Sequence, residues 1–126
     1  MIVSIGIDIV EVYRIHETME RTPRFAARVF TENERVYCDA KGAAAAQSYA
    51  ARFAAKEAFL KAIQTGWRGK ITWQDVEVIS DPDGMPSLNI AGEAKRIMAD
   101  RGANRIHLSI SHTAKHAVAQ VILEKC

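Results

Sequence analysis

Apolar and polar residues alternate strictly at the start of the chain. Val3, Ile5, Ile7 and Ile9 hold the odd positions, with Ser4, Gly6 and Asp8 between them, the period-two pattern of a strand whose isoleucine face turns to the core. After Glu11 the period lengthens: Val12, Ile15 and Met19 fall at helical spacing until Pro23, and a second short segment ends near Phe30. Thr31-Glu32-Asn33-Glu34 matches a capping box, which predicts a helix to about Asp39, ended by Lys41-Gly42. From Tyr49 to Gln64 there is neither proline nor glycine and alanine is the commonest residue, so a long helix follows, with Ala43 to Ala46 as its run-up. Val76, Val78 and Ile79, then Asp81-Pro82-Asp83-Gly84, then Leu88 and Ile90 read as a hairpin. Glu93 to Arg101 reads as a helix stopped by Gly102, and Ile106 to His112 with Ala117 to Leu123 as a second hairpin. The sum is an α+β fold, a small mainly antiparallel sheet with a long central helix, in one domain over residues 1–126.

The central helix carries charges that its pattern does not explain. Ala50, Phe53, Ala54, Glu57 and Lys61 share one stripe, yet Phe59, Ile63, Ala55 and Ala62 on the opposite side are apolar as well. A helix apolar nearly all round is buried, and a buried carboxylate needs a partner or a metal. Lys61 lies one turn beyond Glu57 in the favourable order for an ion pair. That pair is either structural or part of a site, and Ala54 and Ala58, with methyl groups only, leave room for a ligand or a second chain segment. Asp8 has two readings also. It is a good cap for the helix that follows it, or it is a site residue over which Gly6, on the same strand face, clears space.

Composition narrows the class of partner. Seventeen Lys and Arg against fifteen Asp and Glu give a net charge of +2, too small for a general nucleic-acid binder. Cys38 and Cys126 have no metal-ligand spacing, which suits a reducing compartment. The first residues lack a basic leader and Asp8 interrupts their apolar run, so neither a signal peptide nor a membrane span is expected, and the predicted location is cytoplasmic. Arg14 and Arg21 fall on one helix face and Arg24 and Arg28 form an (i, i+4) pair, a patch that is a solvated surface or a dock for an acidic partner. In Thr65-Gly66-Trp67-Arg68-Gly69-Lys70, Gly66 suits a left-handed helix cap, while Arg68 and Lys70 with free amides suit phosphate. His112 at a strand end reads first as a structural hydrogen-bonding residue.

Two long stretches then agree. Gly6-Ile7-Asp8-Ile9-Val10-Glu11-Val12-Tyr13-Arg14 and Arg52-Phe53-Ala54-Ala55-Lys56-Glu57-Ala58-Phe59-Leu60-Lys61 resemble the paired signature of the phosphopantetheinyl transferases, in their small stand-alone branch, the holo-acyl-carrier-protein synthases. Gly84-Met85-Pro86 resembles the family's hairpin, and Ser109-Ile110-Ser111-His112-Thr113 its late strand, so the resemblance spans essentially the whole chain. It implies a phosphopantetheinyl transferase-like fold and transfer of phosphopantetheine from coenzyme A to a serine of apo acyl carrier protein. Adenosine 3′,5′-bisphosphate would be released, in support of fatty acid biosynthesis. It also implies magnesium on Asp8 and Glu57, with Glu57, Lys61 and Asp8 as the catalytic residues. Lys61 would lie along the phosphates, and Glu57 or a metal-activated water would take the serine proton. His112, Arg52, Lys41 and the loop from Gly66 would contact the coenzyme. Arg14, Arg21, Arg24 and Arg28 become docking candidates for the acidic carrier, and the family implies a homotrimer with sites between subunits. A module that binds coenzyme A or a carrier protein without turnover is the alternative.

Overall fold

A computed structural model describes residues 1–65 and 69–126. The chain runs β1 (Ile2–Glu11), α1 (Val12–Arg21), α2 (Phe25–Val29), α3 (Glu32–Asp39), α4 (Ala45–Ile63), β2 (Val76–Ser80), β3 (Pro86–Ile90), α5 (Gly92–Asp100), β4 (Arg105–His112) and β5 (His116–Glu124). Single 3-10 turns at Gly42–Ala44 and Trp73–Asp75 precede α4 and β2. The strands form two antiparallel sheets, one of order β1-β5-β4 and one made of β2 and β3 alone. Each strand anticipated from periodicity is present, and the capping box of α3 has both of its hydrogen bonds.

Helix α4 is the axis of the molecule. Thirteen of its nineteen residues are buried, around its whole circumference, because it lies on the three-stranded sheet with the β2–β3 hairpin and α5 packed beyond it. Phe59, Leu60 and Ile63 join Val76, Val78, Met98, Val121 and Leu123 in the main core, and a second cluster gathers Val12, Ile15, Val29, Phe30 and Tyr49. Each large apolar side chain buried in this way contributes roughly 1.5–3 kcal/mol. The alanines contribute something else, a surface flat enough for close approach. The helix ends at Gln64, whose φ of 64° is left-handed and whose amide donates to the carbonyls of Leu60 and Lys61. The left-handed cap expected at Gly66 is thus supplied by Gln64; Gly66 and Arg68 lie outside the described residues.

Strand β1 presents the opposite face from the one its pattern predicts. Ile5, Ile7 and Ile9 are 54%, 56% and 65% exposed, while Gly6 is buried against α4. A Cβ on Gly6 would stand 2.0 Å from the Ala58 carbonyl oxygen and 2.7 Å from the Ala62 amide nitrogen. Ser4 on the same side donates a hydrogen bond of 2.6 Å to the Ala62 carbonyl. The glycine therefore lets helix and strand backbones touch; it does not clear space for a ligand over Asp8. The room left by Ala54 and Ala58 is likewise filled, since both are 0% exposed. Small residues on both surfaces make this contact, and the bulky isoleucines are left on the outer face.

Candidate active site

Asp8 lies within β1 opposite Ala119 of β5, four residues before α1 begins. It does not cap that helix, whose N-cap is Glu11 without a side-chain bond. Its carboxylate turns toward α4 and accepts a hydrogen bond of 2.9 Å from the Lys61 ammonium, fifty-three residues on. The Asp8 side chain is 14% exposed and that of Lys61 56%, so the pair stands at the edge of the core with its cation toward solvent. Glu57, one turn earlier on α4, is half-buried and shares the stripe of Lys61. The close contact at Gly6 sets the height of β1 over this stripe, and thereby the reach of Asp8. Among the described residues no three His, Cys, Asp or Glu side chains gather at one point. A metal here would draw on the two carboxylates and on oxygens from elsewhere.

The basic candidates meet in a second place. Lys41, Arg52 and His112 all line a cavity of about 310 Å³ between α3, α4, the β2–β3 hairpin and the end of β4. Arg52 is 5% exposed and donates through Nη2 to the Ser80 hydroxyl at 2.9 Å. Its guanidinium carbon lies 3.9 Å from the centre of the Tyr37 ring, and the Lys41 ammonium 4.5 Å from the same ring. A hydrogen bond from Ser80 holds the Tyr37 hydroxyl below its usual range, helped by the Lys41 and Arg52 cations and opposed by burial. Among the described residues the buried Nε of Arg52 has no acceptor. Buried donors are ordinarily satisfied, so an arginine with a spare N–H beside a cavity fits an anionic ligand. Sequence reasoning missed Tyr37 and Ser80, although Tyr37 lies one turn beyond Glu34 on a helix whose start was legible.

The two places lie on different sides of α4. Arg52 and Lys61 are nine residues apart, which puts roughly 13 Å between them along the axis and turns their side chains to opposite faces. On α1, Arg14 and Arg21 line one shallow hollow with Tyr13, Glu17 and Thr18, so the shared face is real. Each also has an acid beside it, Glu11 at 3.1 Å from Arg14 and Glu17 at 3.5 Å from Arg21. Arg24 and Arg28 are exposed at α2 and do not line that hollow. A larger hollow of about 450 Å³, lined by Ile9, Ile15, Phe53, Arg14 and His116 among others, adjoins the same helix.

Lys56, without an assigned role from sequence, is wholly buried. Its ammonium meets the Glu34 carboxylate at 2.9 Å, and both side chains are 0% exposed. Burial pushes the Lys56 ammonium below its usual range, against the pull of Glu34.

Known proteins bear on this geometry in three ways. Residues 4–121 match the family model described as the 4′-phosphopantetheinyl transferase superfamily. A holo-[acyl-carrier-protein] synthase of Koribacter versatilis is 50% identical, over 98% of this chain and 99% of the relative. Among solved structures, a holo-(acyl-carrier-protein) synthase from Bacillus anthracis in complex with CoA (3′,5′-ADP) is 42% identical with a TM-score of 0.82, covering 100% of this chain and 99% of that one. The Helicobacter pylori enzyme in complex with coenzyme A is 32% identical with a TM-score of 0.82, covering 95% and 99%. A chain matched over nearly its full length, with paired motifs meeting across β1 and α4, belongs to the 4′-phosphopantetheinyl transferase superfamily.

Proposed function

We infer that this chain is a holo-acyl-carrier-protein synthase, which moves the phosphopantetheine of coenzyme A onto a serine of apo acyl carrier protein in support of fatty acid biosynthesis. The observation that carries the reading is the cavity in which Lys41, Arg52 and His112 converge, within a chain half identical to a synthase along its length. Residues 1–126 act as one domain. The cavity is at the small end of the roughly 300–1,000 Å³ usual for ligands, so it takes the phosphorylated ribose and not the whole coenzyme. The Arg52 guanidinium and the Lys41 ammonium hold the phosphate there, with His112 at the rim. The loop from Gly66 to Lys70 supplies further phosphate contacts.

In the transfer, the serine Oγ forms a bond to one phosphorus of the pyrophosphate, and the bond from that phosphorus to adenosine 3′,5′-bisphosphate breaks. The serine proton leaves to the Glu57 carboxylate or to water beside it. Lys61 has three N–H donors, so it keeps Asp8 and meets the charge growing on the phosphoryl oxygens. Asp8 and Glu57 fit magnesium: both are hard oxygen donors at the edge of the core, and this ion needs only one or two carboxylates beside phosphates and water. Bound there, it would offset charge on the pyrophosphate.

The cavity and the Asp8–Lys61 pair face away from each other across α4, and a single coenzyme is best served by the cavity of one subunit and the carboxylates of the next. The exposed isoleucine face supports the same conclusion. Ile5 and Ile9 are paired with Ile122 and Val118 on β5, and Ile7 between them with Gln120, so one sheet face carries an apolar strip along β1 that a single glutamine interrupts on β5. A strip of this kind marks an interface. We place the chain in a homotrimer with sites between subunits. Arg14 and Arg21, then Arg24 and Arg28, dock the acidic carrier, whose apolar side chains enter the hollow beside Phe53. Among the described residues no helix is long and apolar enough to cross a membrane.

Incubating an apo carrier protein with coenzyme A, magnesium and this chain tests the reading. A mass gain of one phosphopantetheine is expected, abolished by a chelator. Coenzyme binding with no mass gain would instead make the chain a binding module.

A further inference from the structure

Three of the elements around the basic cavity are tied together beneath it by one buried ion pair. The Lys56 ammonium spends its three N–H donors on the Glu34 carboxylate at 2.9 Å, the Trp73 carbonyl at 3.1 Å and the Val76 carbonyl. Glu34 accepts in return from the Thr31 amide at 2.8 Å and the Val78 amide at 2.7 Å. Every donor of the lysine is used and both carboxylate oxygens are engaged, so the network is saturated within the protein. It is a joint between α3, α4 and the 73–78 segment, and no part of it awaits a ligand.

Each limb of the joint leads to a cavity residue. Arg52 lies one turn before Lys56 on α4, and Tyr37 almost one turn beyond Glu34 on α3. Ser80 lies two residues beyond Val78 on β2. These three groups meet at the cavity wall, Ser80 accepting from Arg52 and Tyr37 stacked on its guanidinium. Burying an ion pair is a poor way to gain stability, because the desolvation of both charges offsets their attraction and apolar residues of like volume often do as well. What a saturated polar network does provide is a single geometry, since a slide of α4 by a fraction of a turn would leave charges unpaired.

We propose that Lys56 and Glu34 are positioning residues for coenzyme binding, fixing α4 against α3 and β2 so that Tyr37 and Ser80 hold the Arg52 guanidinium where it meets the phosphate. The proposal rests on the reading of the cavity as the coenzyme site. Neither residue touches the coenzyme; both act through Arg52 and its neighbours.

The test measures the Kd of adenosine 3′,5′-bisphosphate by calorimetry, and the KM values for coenzyme A and carrier, in wild type, Glu34→Gln and the double variant Lys56→Met/Glu34→Gln. The mild Glu34→Gln keeps the shape and one acceptor oxygen, and is expected to raise Kd and the coenzyme KM about fivefold. The double variant should raise both at least tenfold, with the carrier KM unchanged. Gly102→Ala, destabilised at a left-handed position in open space, should bind as wild type does, which separates positioning from a general loss of stability. If wild type itself does not bind the nucleotide, the cavity has been misread. If wild type binds and either folded variant binds within twofold of it, the pair has no positioning role. Failure of both variants to fold would assign the pair to folding and overturn the proposal.

Discussion

Replacing Gly6 by alanine should damage stability and catalysis together. The new methyl would meet the Ala58 carbonyl oxygen at 2.0 Å, the Ala62 amide nitrogen at 2.7 Å and the Ala58 carbonyl carbon at 3.0 Å. All three atoms are helix backbone, so no side chain can swing aside, and β1 must lift from α4 by about 1.4 Å to reach an ordinary contact of 3.4 Å. Overpacking of a tight core costs about 1–3 kcal/mol, and the rigid surroundings place this case at the upper end, about 3 kcal/mol. For a domain of this size that lowers Tm by about 12 °C. The same lift carries Asp8 off Lys61, whose 2.9 Å contact is a full hydrogen bond, and a misplacement of about 1 Å at reacting groups costs about 100-fold in rate. Calorimetry and the carrier mass assay read the two effects. Gly102→Ala is the control: it adds a methyl in open space at a φ of 89°, costing about 1–2 kcal/mol of backbone strain with turnover intact. A Gly6→Ala protein with the Tm and turnover of wild type would refute the account, because strand and helix would then be free to separate.

Other perturbations follow from the same geometry. Glu57→Gln should lose turnover and magnesium dependence together, and near-normal rates in a magnesium titration would remove Glu57 from the metal site. Charge reversal of Arg14 or Arg21 to glutamate should raise the carrier KM about tenfold, more at low salt where screening is weak, while coenzyme binding by calorimetry is unchanged; unaltered carrier kinetics in both variants would sink the docking surface. Ile7→Lys, in the middle of the exposed strip, should shift the mass seen by light scattering from trimer to monomer and remove turnover with it. A monomer that keeps full activity would show that each chain carries a whole site.

Most of the fold is legible in the residues because local rules agree. Period two over residues 3–9, the capping box at Thr31 and Glu34, and the turn at Asp81 to Gly84 each specify an element without knowledge of the others. The Asp81 side chain, which accepts from the Asp83 and Met85 amides, shows how local that information is. What failed was the assignment of faces. The rule that the apolar side of a strand turns inward assumes that burial is limited by hydrophobicity, whereas at Gly6 it is limited by distance, and only small residues fit between β1 and α4. Glu57 and Lys61 stand out as charges on a helix apolar nearly all round, and Asp8 as a carboxylate beside Gly6 on a strand face; the family resemblance then points to them, and to Arg52, as site residues. Tyr37, Ser80 and the Lys56–Glu34 joint are not legible in this way, because their partners are separated by 15 to 44 residues in sequence and meet only through the packing of α3, α4 and β2. Glu34 was especially well hidden, since its capping bond to Thr31 already accounts for a glutamate at that position.

The strand order has a consequence in time. β1 is made first but its ladder partner is β5, made last, so Asp8 hangs on an unpaired strand until residues 116–124 have been synthesised. Closing so long a loop is entropically slow. A chain still growing on the ribosome already carries Asp8, Glu57 and Lys61, yet the strand that holds Asp8 against Lys61 has no ladder partner. It also shows a bare strand edge and a row of isoleucines to every other nascent chain nearby. Transferase activity therefore arrives only with the final strand, and chains stalled or cut before it should be drawn to chaperones and not to coenzyme A.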